Sequence, residues 1–308
     1  MAVISPTVAI AFLANLVVAI AKSIAATLTG SASMTAEAAH SWADTGNEIF
    51  LLVADRRGAP RRDAAHPLGY GKEAYFWSTI AAFGLFTAGA VVSVFHGIQQ
   101  LSVPERDSEF WIAYLVLGIS AVFEAISFSQ ALRSARSAAR ERGRPTLAHV
   151  LESSNPTLRA VFAEDAAALI GLGIAALGIL LHQLTGSAVY DAIGSILVGL
   201  LLAVVAVFLI ERNRRFLVGQ VTSDELNNAV LTMLLKRQDI DRVTYIHLEF
   251  VGPERVFLIA AIDLAGNDAE TDVAVRLNKI AKLVARDKHV EQAVLTLSLP
   301  DQKSLIPT

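Results

Sequence analysis

Val189–Arg215 reads VYDAIGSILVGLLLAVVAVFLIERNRR, a long apolar run closed by a cluster of charges. Crossing a hydrocarbon layer about 30 Å thick takes about 20 mostly apolar residues, and the run up to Ile210 is long enough to do so. It halts at Glu211, Arg212, Arg214 and Arg215, and beyond about 219 the chain takes on the mixed composition of a small soluble domain. The whole chain of 308 residues is 54% hydrophobic and 18% charged. Soluble domains average about 45–50% apolar and about 25% charged. The bulk figure therefore hides a greasy part and an ordinary part.

Working outward from this run, five more stretches reach spanning length: Thr7–Leu28, Met34–Ala54, Ala74–Leu101, Glu109–Leu132 and Leu158–Leu184. The expected fold is a polytopic α-helical membrane protein with six transmembrane helices and a C-terminal cytoplasmic α+β domain. Residues 1–211 form the six-helix membrane part and 219–308 the tail. The first stretch has no basic leader and reads as a retained span rather than a secretory signal. Arg56, Arg57, Arg61, Arg62 and Lys72 follow the second span, Arg133, Arg136, Arg140, Arg142 and Arg144 the fourth, and three arginines the sixth, while the opposite loops offer only Arg106. The positive-inside rule then puts both termini and the tail in the cytoplasm. A short amino terminus and abundant Ala and Arg suggest a bacterial inner membrane.

Ser223-Asp224-Glu225 opens a helix through Leu235, with acidic residues where the helix dipole favours them. Arg242–Val251 and Val256–Leu264 alternate as strands around Gly252-Pro253, a helix covers Ala269–Ala285, and Val290–Leu299 is a third strand. The order αββαβ predicts a two-layer module. A net charge of −3 argues against a generally basic nucleic-acid binder, and the absence of Cys removes disulfides and thiolate metal sites. Any metal is left to His, Asp, Glu or Asn.

Ionisable side chains inside a membrane are costly unless paired, hydrated or metal-bound, so each is a functional candidate. The second span carries Glu37, His40, Asp44, Asn47 and Glu48. Residues 40, 44 and 47 share one helix face, and an imidazole and a carboxylate at i, i+4 can form two corners of a tetrahedral Zn²⁺ site. The fifth span adds Glu164 and Asp165 among small and apolar residues; neighbours on a helix point about 100° apart, so one would ligate and the other support it or relay protons. Bland readings stand beside these. His40 and Asn47 can bind helices together, Glu164 and Asp165 can pair with Lys22, Lys22 can snorkel, and Asp191 suits a helix cap. Glu124 in the fourth span is open to either reading.

His40-Ser41-Trp42-Ala43-Asp44, His66-Pro67-Leu68-Gly69-Tyr70-Gly71-Lys72-Glu73, Asp165 and the α+β tail together resemble the cation diffusion facilitator family across nearly the whole chain. Glu164-Asp165-Ala166-Ala167 resembles the zinc-transporter branch typified by a mitochondrial or nuclear-associated member rather than the vesicular ones. The resemblance implies a homodimeric carrier of divalent cations, chiefly Zn²⁺ with Mn²⁺ or Fe²⁺ possible, driven by proton antiport, with no prosthetic group. It implies a metal site of four residues, paired at i, i+4 on the second and fifth helices. His40, Asp44 and Asp165 match three of them; Val161 stands where zinc members have His. Glu164, Asn47 or water is left to complete the shell, and Glu124 and Glu164 are candidate proton relays. The last strand lacks the His found in several bacterial tails, so His247, Glu249, Asp263 and His289 are read as leaving a tail that dimerises without a well-formed metal site.

Metal binding needs neutral imidazole and ionised carboxylate, so protons and metal compete for the same ligands. His40, of a residue type that titrates near pH 6.5 when unperturbed, is the natural switch. Rocking of the helices around a midplane site would give alternating access. A membrane sensor or scaffold that transports nothing is the contrasting reading. An intramembrane metallohydrolase would want a motif such as His-Glu-x-x-His, which is absent.

Overall fold

The structure is a computed structural model that describes residues 6–102, 109–141, 143–266 and 268–307. Arg106 and Arg142, both used in the orientation argument, lie outside the described residues. The chain divides into two compact units, one made of Met1–Ala54 and Trp77–Asn213, the other of Asp55–Phe76 and Arg214–Thr308. The second unit thus takes in a segment that a linear split of the sequence leaves elsewhere.

The first unit is helical. Its elements are α1 (Pro6–Thr29), α2 (Ala32–Gly58), α3 (Gly71–Gly84), α4 (Val92–Gln100), α5 (Phe110–Glu141), α6 (Thr146–Glu152), α7 (Pro156–Thr185) and α8 (Val189–Val218). A π-helical segment, Leu85–Val91, joins α3 to α4 without a break in the rod. The ends follow local chemistry. Asn155 caps α7 by accepting from the Leu158 N–H at 3.2 Å with Pro156 in the first turn, and Gly186 ends it at φ 72°, a left-handed conformation that glycine tolerates. α5 runs past Leu132 to Glu141 because Arg, Ala and Ser continue a helix readily once it leaves the apolar stretch.

Four helical rods are long and apolar enough to cross a membrane: Gly71–Gln100, Phe110–Glu141, Pro156–Thr185 and Val189–Val218. Two of the six expected spans differ for identifiable reasons. In α1 the apolar stretch among the described residues is the shorter Asn15–Thr29, and α2 carries Glu37, His40, Asp44, Asn47 and Glu48 along its length. The burial pattern of the unit is inside out. Leu13, Val17, Ile20, Ile24 and Leu28 form an exposed apolar stripe at helical spacing on α1, as do Leu115, Ile119, Val122 and Ile126 on α5, whereas Lys22, Glu37, His40 and Asn47 are buried. Apolar stripes of this extent are stable against lipid rather than water, which makes this an integral membrane protein. The interior is built from small residues that let helices approach: Gly178 of α7 faces Ser33 Oγ, which a Cβ at that position would meet at 3.2 Å.

The second unit contains α9 (Asp224–Leu235), β1 (Ile240–Gly252), β2 (Arg255–Leu264), α10 (Glu270–Val284) and β3 (Val290–Leu297), close to the expected boundaries. β1 and β2 pair antiparallel around a tight turn with Glu254 at φ 56°; α10 crosses over so that β3 pairs parallel to β2, giving the order β1-β2-β3. Leu231 and Leu234 of α9 and Ile280 and Val284 of α10 share one core with Val243, Leu248, Leu258, Ile262 and Val290 of the sheet. This is the α+β module that the alternation and the three-to-four spacing predict.

Candidate metal-transport site

α2 brings His40 and Asp44 together. One turn of helix separates them, and Nε2 of His40 lies 3.3 Å from Oδ2 of Asp44. His40 is 1% exposed, and neither ring nitrogen makes a hydrogen bond; Oδ1 of Asp44 is also buried without a partner. Buried imidazoles normally satisfy both nitrogens, so this pair has the unmet donor and acceptor capacity of a ligand set.

The next turn of α2 reaches α7. Asn47 donates through Nδ2 to Oε2 of Glu164, and both residues are buried. Oδ1 of Asn47 and Oε1 of Glu164 are left unpartnered. Asp165 points elsewhere, as the 100° helical step predicts: it is half-buried and accepts from the Ser127 hydroxyl of α5 at 2.8 Å. It is still within electrostatic reach of Asp44 and His40. Glu124, also on α5, is half-buried and within electrostatic reach of Asp44, Lys22, His40 and Asp165. Among the described residues no three His, Asp or Glu side chains converge into a closed coordination shell, so Asp165 does not share a common point with His40 and Asp44.

α1 supplies partners that the sequence reading placed differently. Lys22 does not pair with Glu164 or Asp165; its Nζ lies 2.8 Å from Oε2 of Glu37, and both side chains are essentially inaccessible. Asn15 donates to Glu48 at 2.5 Å, so Glu48 is tied to α1. Two further buried polar groups are Asp191, read from the sequence as a helix cap, and Arg159, which the sequence reading passed over. Asp191 of α8 accepts from the Ser31 hydroxyl and from the N–H groups of Ala32 and Ser33, and so caps α2 rather than its own helix. Arg159 of α7 is 1% exposed and donates to Asn213 at 2.7 Å, which in turn donates to Ser78 at 3.1 Å. An arginine inside an otherwise apolar stretch was the available signal.

In the second unit the His66-Pro67 loop is ordered by its own side chains. Asp63 accepts from the N–H groups of Ala65 and His66 and from the Tyr70 hydroxyl at 2.8 Å, and the His66 ring packs against Tyr70 with centroids 3.8 Å apart and the planes tilted by 33°. The Tyr70 hydrogen bond, with the backbone donors, holds the Asp63 carboxyl below the usual carboxylate range. The same bond pushes the Tyr70 phenol up. The loop is fastened to the sheet: Glu291 accepts from the Arg62 N–H at 2.8 Å, and Arg255 donates to the carbonyls of Ala59 and Pro60. Of the four polar residues singled out in the tail, Glu249, Asp263 and His289 are engaged by neighbours. Glu249 pairs with Lys72 at 3.4 Å, Asp263 with Arg242 at 2.8 Å, and His289 contacts the Glu254 carbonyl at 3.0 Å.

Comparison with known proteins agrees with this chemistry. Residues 8–218 match the model of the cation efflux transmembrane domain. Metal tolerance protein C4 of Arabidopsis thaliana is 37% identical over 233 residues, 75% of this chain and 50% of that protein. The mitochondrial proton-coupled zinc antiporter SLC30A9 of Xenopus laevis is 34% identical over 291 residues, 90% of this chain and 52% of that one. Its human counterpart is 33% identical over 238 residues, covering 77% and 42%. The chain spans about half the length of these curated relatives. The family is one of transporters rather than enzymes. Spanning helices that bury an imidazole and carboxylates, together with a family model matched across the helical unit, lead to one conclusion: the chain belongs to the cation diffusion facilitator family.

Proposed function

We propose that this protein exchanges Zn²⁺ for protons across a membrane, binding the ion between α2 and α7 with His40 and Asp44 as ligands and with Asp165 turning in from α7 to join them as the ion binds. The observation that carries this reading is the buried His40 ring, whose two nitrogens make no hydrogen bond while a carboxylate sits 3.3 Å away. An imidazole so placed is matched to a divalent cation of borderline softness. The name of the SLC30A9 relatives, proton-coupled zinc antiporter, supports the same substrate and coupling ion. Oε1 of Glu164 and Oδ1 of Asn47 are the unpartnered oxygens that would complete the shell, and Glu164 and Glu124 are the proposed proton relays.

In this reading α1 and α2 also cross the bilayer, making six spans. The lipid-type exposure of the α1 stripe supports its crossing, and α2 is shielded as the polar helix that carries the ligands. Both termini and the tail face the cytoplasm by the distribution of basic residues, residues 1–211 are the transport domain, and 219–308 form a tail that dimerises. Ligand competition supplies the coupling: the site loads with its carboxylates ionised and imidazole neutral, protonation from the opposite side expels the ion, and rocking of the helices changes the open side. A bacterial inner membrane is the proposed location.

The test is zinc flux into proteoliposomes under an imposed pH gradient, comparing the native chain with Asp44→Ala and Asp165→Ala. Gradient-driven flux that disappears in both variants supports the assignment. Flux of manganese or iron alone would replace the substrate, and no flux of any of the three would leave a sensor or scaffold.

A further inference from the structure

The Lys22–Glu37 pair stands beside the proposed site without belonging to its ligand set. Glu37 lies three residues before His40 on α2, so the two occupy adjoining positions on neighbouring turns of one helix. Its carboxylate is 0% exposed and meets an ammonium that is 1% exposed, at 2.8 Å. Only one carboxylate oxygen is used. The other, Oε1, has no hydrogen-bond partner, and it lies where a Cβ on Gly171 of α7 would come within 2.9 Å. A glycine on the facing helix therefore makes the room in which this oxygen sits. Both charges of the pair act on His40, which is within electrostatic reach of Glu37 and Lys22 alike.

A lone ammonium in a membrane interior is costly, and so is a lone carboxylate; together they form a fixed dipole with no net charge. Its arithmetic matters for a site that must bind a divalent ion and then release it. With the neutral Asn47 completing the shell, the ligands Asp44 and Asp165 supply two negative charges, equal and opposite to Zn²⁺. An uncompensated Glu37 would add a third, with an unpartnered oxygen one turn from the imidazole.

We infer that Lys22 is a built-in counter-cation that neutralises Glu37 and so holds the charge of the neighbouring metal site at the value suited to one releasable divalent ion. This rests on the reading of His40 and Asp44 as ligands. Lys22 acts through Glu37 and is a positioning residue, not a ligand. Removing the ammonium alone should tighten zinc binding and slow release; removing the carboxylate alone should leave a buried cation next to the site and weaken binding. Removing both should restore the native charge.

Zinc titration of the detergent-purified full chain, with fluorescence or calorimetric readout, tests this on native protein and on K22Q, E37Q and the double variant K22M/E37Q, with Asp44→Ala as reference. Charges a few ångströms apart in a medium of effective dielectric near 20 change affinity by about tenfold or more, which sets the expected size of the two single-variant effects. The expected result is tighter binding in K22Q, weaker binding in E37Q, and a double variant within about threefold of native. A merely structural pair would move both single variants in the same direction. Equal affinities in all chains, same-sign losses, or a double variant no nearer to native than the singles would overturn the inference. Should K22Q fail to fold, E37Q and the double variant still decide by the same criteria. If the native chain binds no zinc, or Asp44→Ala binds as tightly as native, it is the site reading that fails instead.

Discussion

Asp191, in the first turn of α8, holds the start of α2: its carboxylate accepts from the Ala32 N–H at 2.6 Å. The Ser33 N–H at 3.2 Å and the Ser31 hydroxyl at 2.9 Å complete the cap. Helix N-termini leave unsatisfied N–H groups, and here a carboxylate about 160 positions away in sequence satisfies two of them in a buried setting. The helix that carries His40 and Asp44 is thereby fastened to α8. Asp191→Ala should lower stability by about 1–3 kcal/mol, the cost of a lost cap with buried donors left unpaired. Thermal unfolding in detergent checks this, and an unchanged midpoint would show that water replaces the carboxylate.

The α2–α3 loop gives a second expectation. Glu291 is 8% exposed, accepts from the Arg62 N–H, and lies 3.5 Å from Arg255, which itself holds the Ala59 and Pro60 carbonyls. Glu291→Ala leaves the Arg62 N–H without its acceptor and Arg255 without its carboxylate partner, at about 1–3 kcal/mol. Amide exchange at Arg62 and tryptic cleavage at Arg61 and Arg62 should accelerate, while the exchange of core strand β2 stays near native. Uniform acceleration across the sheet would mean that Glu291 supports the domain and not the loop.

The same loop carries a pH dependence. Asp63 has its carboxyl held low by the Tyr70 hydroxyl first and by backbone donors. A depressed folded-state pKa stabilises fully above the unfolded value of about 3.9, and the stabilisation is lost as pH falls through the lower folded value. Loop order should therefore outlast ordinary Asp titration on acidification. At the alkaline end the sign reverses: the Tyr70 phenol is pushed up, so its hydrogen bond contributes below the unfolded value of about 10 and is lost as pH rises through the folded one. Tyr70→Phe should move the Asp63 titration, followed by carboxyl NMR, up toward its ordinary range. An unmoved titration would assign the shift to the backbone donors alone.

How much of this was legible in the sequence depended on range. Helical periodicity carries local information, so His40 and Asp44 were readable as a pair from their i, i+4 spacing, and the tail strands from alternation around Gly252-Pro253. The divergence of Glu164 and Asp165 followed from the helical step. Partners across helices were not readable: Lys22 could equally have met Glu164 or Asp165, and only packing puts it on Glu37. Asp191 was recognisable as a capping residue, but not as the cap of another helix. The seating of residues 59–62 on Arg255 and Glu291 has no periodic signature at all. The polarity of α2, which makes it the functional helix, is also what hides it from a hydropathy criterion for spans.

Ser127 offers the sharpest separation between a ligand and its support. Its hydroxyl lies 2.8 Å from Oδ2 of Asp165, and that bond anchors one oxygen of a carboxylate whose other oxygen, in the proposed site, turns to the metal. Partners that orient a metal ligand typically matter by about 10–100-fold in affinity when removed, whereas loss of a ligand itself removes a coordination bond. Ser127→Ala should therefore weaken zinc binding by about tenfold without abolishing it, and Asp165→Ala should abolish it. Both are to be measured by zinc titration alongside the melting temperature, because Ser127 is on α5 and its loss should leave the fold intact. Native affinity in Ser127→Ala would mean that Asp165 reorients freely on binding. Complete loss with an unchanged melting temperature would promote the hydroxyl itself to the coordination shell, filling the place that Val161 leaves vacant.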